Sequence, residues 1–367
     1  MPDLLLDLDY LPRMPARKDF RIGCIGAGFI VRDCHLVAYR NAGFNPVAIA
    51  SRSPARAEET ARMRDIPKVY ATYGQLLDDP EIEIVDIAYP PHEQLDVVRE
   101  AVLRKGRLKG ILAQKPLGMN YAEACEIVRL CEDAGVVLAV NQNMRYDQSV
   151  RALKCLLDRG TLGQPILATI EMRAIPHWMP WQQDYDWLTL RIMSIHHLDA
   201  FRFLFGDPER IYCSVRTDPR TKFAHRDGIC LYTLEYADGL RCAAGDDVWT
   251  GPAREGAEKD IYIKWRVEGT DGLAWGTIGW PDYPSPSPST MNFTTKQRPG
   301  TWLQPRWTQV WFPDAFAGTM AQLLCAVESG TDPEISGRDN LKTMALVDAA
   351  YKSIDERRAV EVREITG

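Results

Sequence analysis

No tryptophan occurs before Trp178, although the chain of 367 residues holds ten of them. That asymmetry suggests two halves with different surfaces, the second offering flat amphipathic rings to whatever it contacts. There is no block of consecutive Lys or Arg, and the net charge is -6. Nothing therefore forms the electrostatic footprint of a nucleic-acid backbone or an anionic membrane surface, and neither partner is expected. No apolar run approaches the roughly 20 residues of a membrane helix. The N-terminal leucines are interspersed with Asp3, Asp7 and Asp9 and lack a basic flank, so no secretory signal peptide is expected. The nine cysteines include no CxxC pair, and Cys24, Cys125 and Cys131 sit in apolar surroundings. Reduced thiols in a cytoplasmic protein are the expectation. No internal repeat is present, and the length calls for two domains.

The most informative segment present is Arg21 to Ile30 (RIGCIGAGFI), an apolar strand that turns through glycines into a helix. At Gly26 and Gly28 a side chain would block the tight turn or the approach of phosphate oxygens to backbone N–H groups at the helix start. A dinucleotide cofactor is the first hypothesis, although Val31 stands where a third small residue is usual. A second apolar strand, Asn45 to Ala50, ends at Ser51-Arg52-Ser53, where NAD-binding folds place an acidic residue on the ribose hydroxyls. A hydroxyl beside a guanidinium, with Arg56 one turn along, suits a 2′-phosphate better, which favours NADP slightly. The alternative is an Arg52 that stacks on adenine or is simply solvated.

Residues 1–19 contain three prolines and read as an arm, laid over the surface or onto a neighbouring subunit. From residue 20 to 143 strands alternate with helices: Pro54 to Arg64, a short helix near Tyr73, strand Ile82 to Ala88, helix Glu93 to Arg104, strand Gly110 to Ala113, helix Tyr121 to Ala134 and strand Val136 to Val140. This is the pattern of a Rossmann-type, doubly wound parallel sheet. Residues 144–367 change style. Helix Val150 to Arg159 precedes alternating segments at Ile166 to Arg173, Ile211 to Arg216, Ile229 to Tyr236 and Leu240 to Ala244, with terminal helices at Asp314 to Ser329 and Asn340 to Glu356. A C-terminal α+β domain with a large, open, mostly antiparallel sheet is expected. The Pro- and Ser-rich stretch Trp280 to Thr290 is expected to be a loop.

Ligands of open parallel sheets bind beyond the carboxyl ends of the strands. The residues so placed are Gly26, Gly28, Phe29 and Ile30 after the first strand, Ser51, Arg52 and Arg56 after the second, and Tyr89, Pro90 and His92 after Ala88. Gln114 and Lys115 follow Ala113, and Asn143 and Arg145 belong to the polar run after Val140. Several polar groups converging at strand ends point to a cofactor site more than to ordinary loops.

The motifs GCIGAGFI, AIASRSPARA, IAYPPHEQ, AQKPLG, VNQNMRYDQSVRALK, LGQPILA, SIHHLDAFRFLFGDP and PEISGRDNLKTMALVDAAYKS, in this order from about Phe20 to the end, resemble the glucose-fructose oxidoreductase / inositol dehydrogenase / MocA (Gfo/Idh/MocA) family. The resemblance implies an NAD(P)-binding Rossmann domain, an open C-terminal sheet used for homodimer or homotetramer contacts, and oxidation or reduction of sugars and their derivatives. It carries two catalytic roles over: Lys115 matches the lysine of the Glu-Lys-Pro signature, and His196 the histidine of the His-x-x-Asp signature, the usual proton acceptor. A base near the hydroxyl proton and an ammonium near the developing alkoxide are what loss of hydride from a carbinol needs. Trp181 matches a position where the family brings a tryptophan near the cofactor.

Two departures stand out. Gln114 replaces the glutamate before the lysine, and Ile192 occupies the register of the aspartate four residues before the histidine. Asp184, Tyr185 or Asp186 are candidates to compensate. Arg145, Trp178, Tyr185 and His197 are candidate substrate contacts, with indole faces suited to the C–H faces of a pyranose. Asp199 is placed to orient an imidazole or to pair with Arg202. No further His or Cys follows His196, His197 and Asp199 at ligand spacing, so no metal is expected. The expected activity is an NAD(P)-dependent oxidoreductase acting on a secondary hydroxyl of a carbohydrate. Two alternatives remain: a glycoside-cleaving enzyme that retains NAD through transient oxidation and elimination, and a cofactor-binding sensor or repressor without catalysis.

Overall fold

A computed structural model describes residues 8–104, 106–174, 179–248, 261–279 and 285–367. The short apolar runs of the first half form β1 (Arg21–Ile25), β2 (Asn45–Ala50), β3 (Lys68–Tyr70), β4 (Ile84–Ile87), β5 (Gly110–Ala113) and β6 (Val137–Val140). They pair in parallel in the order β3-β2-β1-β4-β5-β6. The chain leaves β1 in one direction and returns at β4 in the other, which opens a crevice between their carboxyl ends. Every residue of β4 and β5 is buried, as a parallel strand covered on both faces requires. Edge strand β3 escapes the sequence pattern because three residues are too few to show a period.

The crossovers are α1 (Leu36–Ala42), α2 (Pro54–Arg64), α3 (Tyr73–Asp78), α4 (Pro91–Val102) and α5 (Tyr121–Ala134). Proline opens α2 and α4, where its missing N–H has no intrahelical role. Asn120 caps α5 by accepting the Glu123 N–H (2.9 Å), and Gly135 closes it in the left-handed region at φ 67°.

This unit comprises Pro12–Tyr146 together with Phe312–Met344, so a stretch far beyond residue 143 groups with the parallel sheet. The reason is packing. Helix Ala315–Ser329 buries Phe316, Met320, Leu323 and Leu324 and lies against β5, β6 and α1. Glycines make room for it: a Cβ at Gly110 would lie 2.9 Å from Leu323, and one at Gly318 would lie 2.5 Å from the Tyr146 ring. A distant apolar helix thus covers a face of the parallel sheet that local sequence leaves bare.

The second unit comprises the stretch ending at Leu11, Asp147–Trp311 and Ala345–Gly367. Its helices α6 (Gln148–Asp158), α7 (Pro180–Gln183) and α8 (Ile195–Phe205) accompany β7 (Pro165–Arg173), β8 (Arg210–Arg216), β9 (Ile229–Glu235), β10 (Arg241–Asp247), β11 (Tyr262–Gly269), β12 (Gly272–Ile278), β13 (Thr290–Thr295) and β14 (Val360–Glu361). The eight strands run β13-β12-β11-β7-β10-β9-β8-β14, antiparallel except where β10 meets β7. In β9 Cys230, Tyr232 and Leu234 point inward while Leu231 and Thr233 face outward, the period of two of a half-covered sheet. Of the stretch expected as a loop, residues 280–284 lie outside the described residues, and Thr290 already opens β13.

Residues of the arm's described part contact both units of this chain, each within its own unit. Tyr10 sets its ring 5.6 Å from Trp307 in the second unit. In the first, the Ala16 N–H donates to Glu328 (3.1 Å) and Arg17 pairs with Glu83 (2.8 Å). All nine cysteines are free thiols. Among the described residues no helix is long and apolar enough to cross a membrane.

Candidate active site

The glycine turn after β1 has the form its residues require. Gly26 takes φ +126°, a backbone region closed to other residues, and donates its N–H to the Ala50 carbonyl (2.8 Å). A Cβ there would sit 2.9 Å from the Ala88 carbonyl oxygen. At Gly28 an added Cβ would meet nothing within 4 Å, so backbone lies open at this point. Phe29, half-exposed, sets its ring edge-on to Phe312 at 6.5 Å, and Ile30 opens a π-helical turn, Ile30–His35. These features fit a pyrophosphate lying along the turn. Gly26→Ala is expected to cost about 2 kcal/mol or more, read by urea denaturation, and to weaken dinucleotide binding at least about tenfold.

Beyond β2, Ser51 Oγ accepts the Ser53 N–H (3.3 Å), and Arg56 is exposed. Arg52 is already engaged. Its Nη1 lies 2.5 Å from Glu93 Oε1, and its guanidinium stands 5.5 Å over the Tyr89 ring. It is not the uncommitted cation that a preference for NADP supposes. Tyr89 is buried against Tyr73, Pro90 precedes α4, and His92 approaches Glu93 at 3.4 Å.

Lys115 follows β5 in a loop held by a residue the sequence did not single out. Gln94 is fully buried on α4, and its Nε2 donates to the carbonyls of Gln114 (3.0 Å) and Pro116 (3.1 Å). The Gln114 side chain, in place of the family glutamate, accepts the Lys115 N–H through Oε1 (2.9 Å) and so shapes the same loop. Burial lowers the Lys115 amine from its ordinary value to about 7. An amine held near neutrality can give or take a proton at working pH.

The polar run after β6 is buried. Asn141 Nδ2 lies 2.8 Å from His35 Nε2, and His35 Nδ1 lies 2.6 Å from Asp86 Oδ2. Tyr39 donates to the same carboxylate oxygen (2.8 Å), so a buried polar cluster ties α1, β4 and β6 together. Asn143 is buried at the start of a 3-10 turn. Arg145, a candidate substrate contact, is buried and donates to the Glu334 carbonyl (3.0 Å) and to Asp339 (2.5 Å). A guanidinium removed from water needs such matched acceptors.

In the second unit His196 lies near the start of α8, 5% exposed, with the Trp311 ring edge-on at 5.7 Å. His197, a candidate substrate contact, is fully buried, with Nδ1 2.9 Å from Asp246 Oδ1. Successive helical residues diverge by roughly 100°, which separates the two imidazoles. Asp199 is buried 3.8 Å from Arg202, and Ile192 is buried in the π-helical turn Thr189–Ser194. Trp181 and Tyr185 meet edge to face at 5.6 Å around α7. The candidate Trp178 lies outside the described residues.

Asp227 gave no signal in the sequence, because it acts 37 to 39 residues away. Its buried carboxylate accepts the N–H groups of Leu188 (2.7 Å) and Leu190 (2.8 Å), pinning the mouth of the turn that leads to His196. Asp227→Ala strands two buried donors and is expected to cost about 2–4 kcal/mol, read as a lower denaturation midpoint.

Residues 20–142 match the model of an oxidoreductase family with an NAD-binding Rossmann fold, and residues 150–274 match the GFO/IDH/MocA C-terminal domain. The chain is 26% identical over 355 residues to D-apiose dehydrogenase of Paraburkholderia graminis, spanning 95% of this chain and 91% of that one. It is 24% identical over 329 residues to myo-inositol 2-dehydrogenase of Thermotoga maritima, spanning 87% and 92%. The fold is shared with an oxidoreductase from Agrobacterium radiobacter in complex with NAD+, L-tartaric acid and magnesium, at TM-score 0.80, 23% identity and 95% and 99% coverage. Levoglucosan dehydrogenase in complex with NADH gives TM-score 0.79 at 18% identity, with 94% and 99% covered. Matched in order by both of its domain models, the chain belongs to the GFO/IDH/MocA family of NAD-binding oxidoreductases.

Proposed function

We propose that the chain transfers a hydride between NAD(P) and a secondary hydroxyl of a sugar or sugar derivative, with Lys115 and His196 handling the hydroxyl proton. The observation that carries this reading is the Lys115 amine, lowered to about 7 by burial, on a strand-end loop braced by Gln94. The dinucleotide, when bound, supplies the hydride acceptor or donor. Gly26, Gly28, Phe29 and Ile30 would take its pyrophosphate, and Ser51, Arg52 and Arg56 its adenosine ribose. Tyr89, Pro90 and His92 would lie against its flat groups, with Gln114, Lys115, Asn143 and Trp181 toward the nicotinamide.

In the oxidation, the neutral Lys115 amine and His196 share the hydroxyl proton, and the ammonium so formed stabilises the negative oxygen. With isoleucine at position 192, no carboxylate joins this pair in the usual register, so the amine and the imidazole carry the proton themselves. Tyr185 and Trp181 would offer a hydroxyl and a flat face to the sugar. The names of relatives, an apiose and an inositol dehydrogenase, support a polyhydroxylated substrate. A second copy of the chain would cover the outer face of the eight-stranded sheet, where Tyr212, Leu231 and Trp275 stand exposed.

The test is a panel of sugars, sugar acids and polyols with NAD and NADP in separate assays, followed at the reduced-nicotinamide absorbance. Reduced cofactor accumulating in step with oxidised product supports a dehydrogenase. Product without net reduction would assign the chain to the glycoside-cleaving type, and dinucleotide binding without turnover on any member would favour a sensor.

A further inference from the structure

We propose that Glu93 selects the dinucleotide: from α4 it supplies the carboxylate that the segment after β2 lacks, and it thereby favours NAD over NADP. This rests on the cofactor reading above. NAD-preferring Rossmann folds hold the adenosine ribose hydroxyls with an acid at the end of the second strand, and here that place is Ser51-Arg52-Ser53. Read along the chain, the acid is missing. In space it is present, because Glu93 Oε1 lies 2.5 Å from Arg52 Nη1, across 41 residues of sequence.

Three features make this more than a loose surface pair. Glu93 sits in the first turn of α4, whose start is set by Pro90 and Pro91, and its side chain is 24% exposed. His92 approaches the same carboxylate oxygen at 3.4 Å. The Arg52 guanidinium is held from below by the Tyr89 ring at 5.5 Å, and Tyr89 is itself packed edge-on against Tyr73 at 6.0 Å. Arg52 is thus presented on a platform with its charge partnered.

The two dinucleotides meet this arrangement differently. A ribose diol can donate a hydrogen bond to the Glu93 carboxylate and leave the ion pair in place. A 2′-phosphate that reached for Arg52 would stand within a few ångström of the carboxylate, repelled by it and competing for its partner. The guanidinium that suggests NADP in the linear sequence becomes, with Glu93, part of a device against it.

Direct binding tests this without turnover. Dissociation constants of NADH and NADPH are measured by titration calorimetry for the wild-type chain, Glu93→Gln and Arg52→Ala. The wild type is expected to bind NADH at least about tenfold more tightly than NADPH, and Glu93→Gln to narrow that ratio about tenfold, mainly by tightening NADPH. Arg52→Ala removes the cation and leaves the carboxylate, so it should widen the ratio. A wild type that prefers NADPH, or a ratio that Glu93→Gln leaves unchanged, overturns the role of Glu93 while the cofactor reading stands. Failure of the wild type to bind either dinucleotide would remove both.

Discussion

Lys115→Ala is expected to lower turnover about 1,000-fold or more while dinucleotide affinity stays within about threefold. The asymmetry follows from where the amine stands. Its loop is fixed by backbone carbonyls that Gln94 holds and by the Gln114 side chain, none of which depends on the lysine side chain. Alanine therefore removes the charge and the proton site but leaves the loop.

The pH dependence gives the same residue a second signature. An amine lowered to about 7 is protonated below that pH and neutral above it. Oxidation draws on the proton-accepting form, so kcat/KM should climb about tenfold per pH unit below 7 and level off above it. Reduction of the corresponding carbonyl draws on the ammonium and should fall through the same region. Lys115→Arg, charged throughout, should erase the limb. Turnover unchanged in Lys115→Ala, or a limb that survives it, would remove Lys115 from the chemistry.

His196→Asn is expected to cut kcat by about 100- to 10,000-fold with little change in dinucleotide affinity. Asparagine keeps a polar side chain of similar reach beside Trp311 but cannot accept a proton near neutral pH. The start of α8 is secured from elsewhere, by Asp227 on the preceding turn and by buried His197 beside Asp246. Wild-type thermal stability together with lost turnover would place the defect in the chemistry. An active His196→Asn variant would shift the base to another group.

Much of the nucleotide-binding unit was legible because local rules govern it. The glycines of the first turn, the prolines that open α2 and α4, and buried runs such as Gly110–Ala113 act through near neighbours and show as pattern. What stayed hidden depends on distance. Helix Ala315–Ser329 reads as helix anywhere, but its place on the parallel sheet follows from the space left by Gly110 and Gly318. Arg145 reads as one member of a polar run, and its buried hydrogen bonds to Glu334 and Asp339 reach residues far along the chain. Glu93 stands one residue past a loop marked as functional, yet only the meeting of α4 with the end of β2 gives it Arg52. Of the histidine pair, the motif register singles out His196, while the contact of buried His197 with Asp246 spans a distance in sequence that no local pattern shows.

The central claim is that one amine and one imidazole act on the same carbinol oxygen. A crystal structure of the ternary complex with reduced dinucleotide and the best substrate of the panel measures this directly. Lys115 Nζ and a ring nitrogen of His196 should each lie within about 3.3 Å of the oxygen on the carbon facing the nicotinamide. Either nitrogen more than about 6 Å from that oxygen, or turned into bulk water, would contradict it.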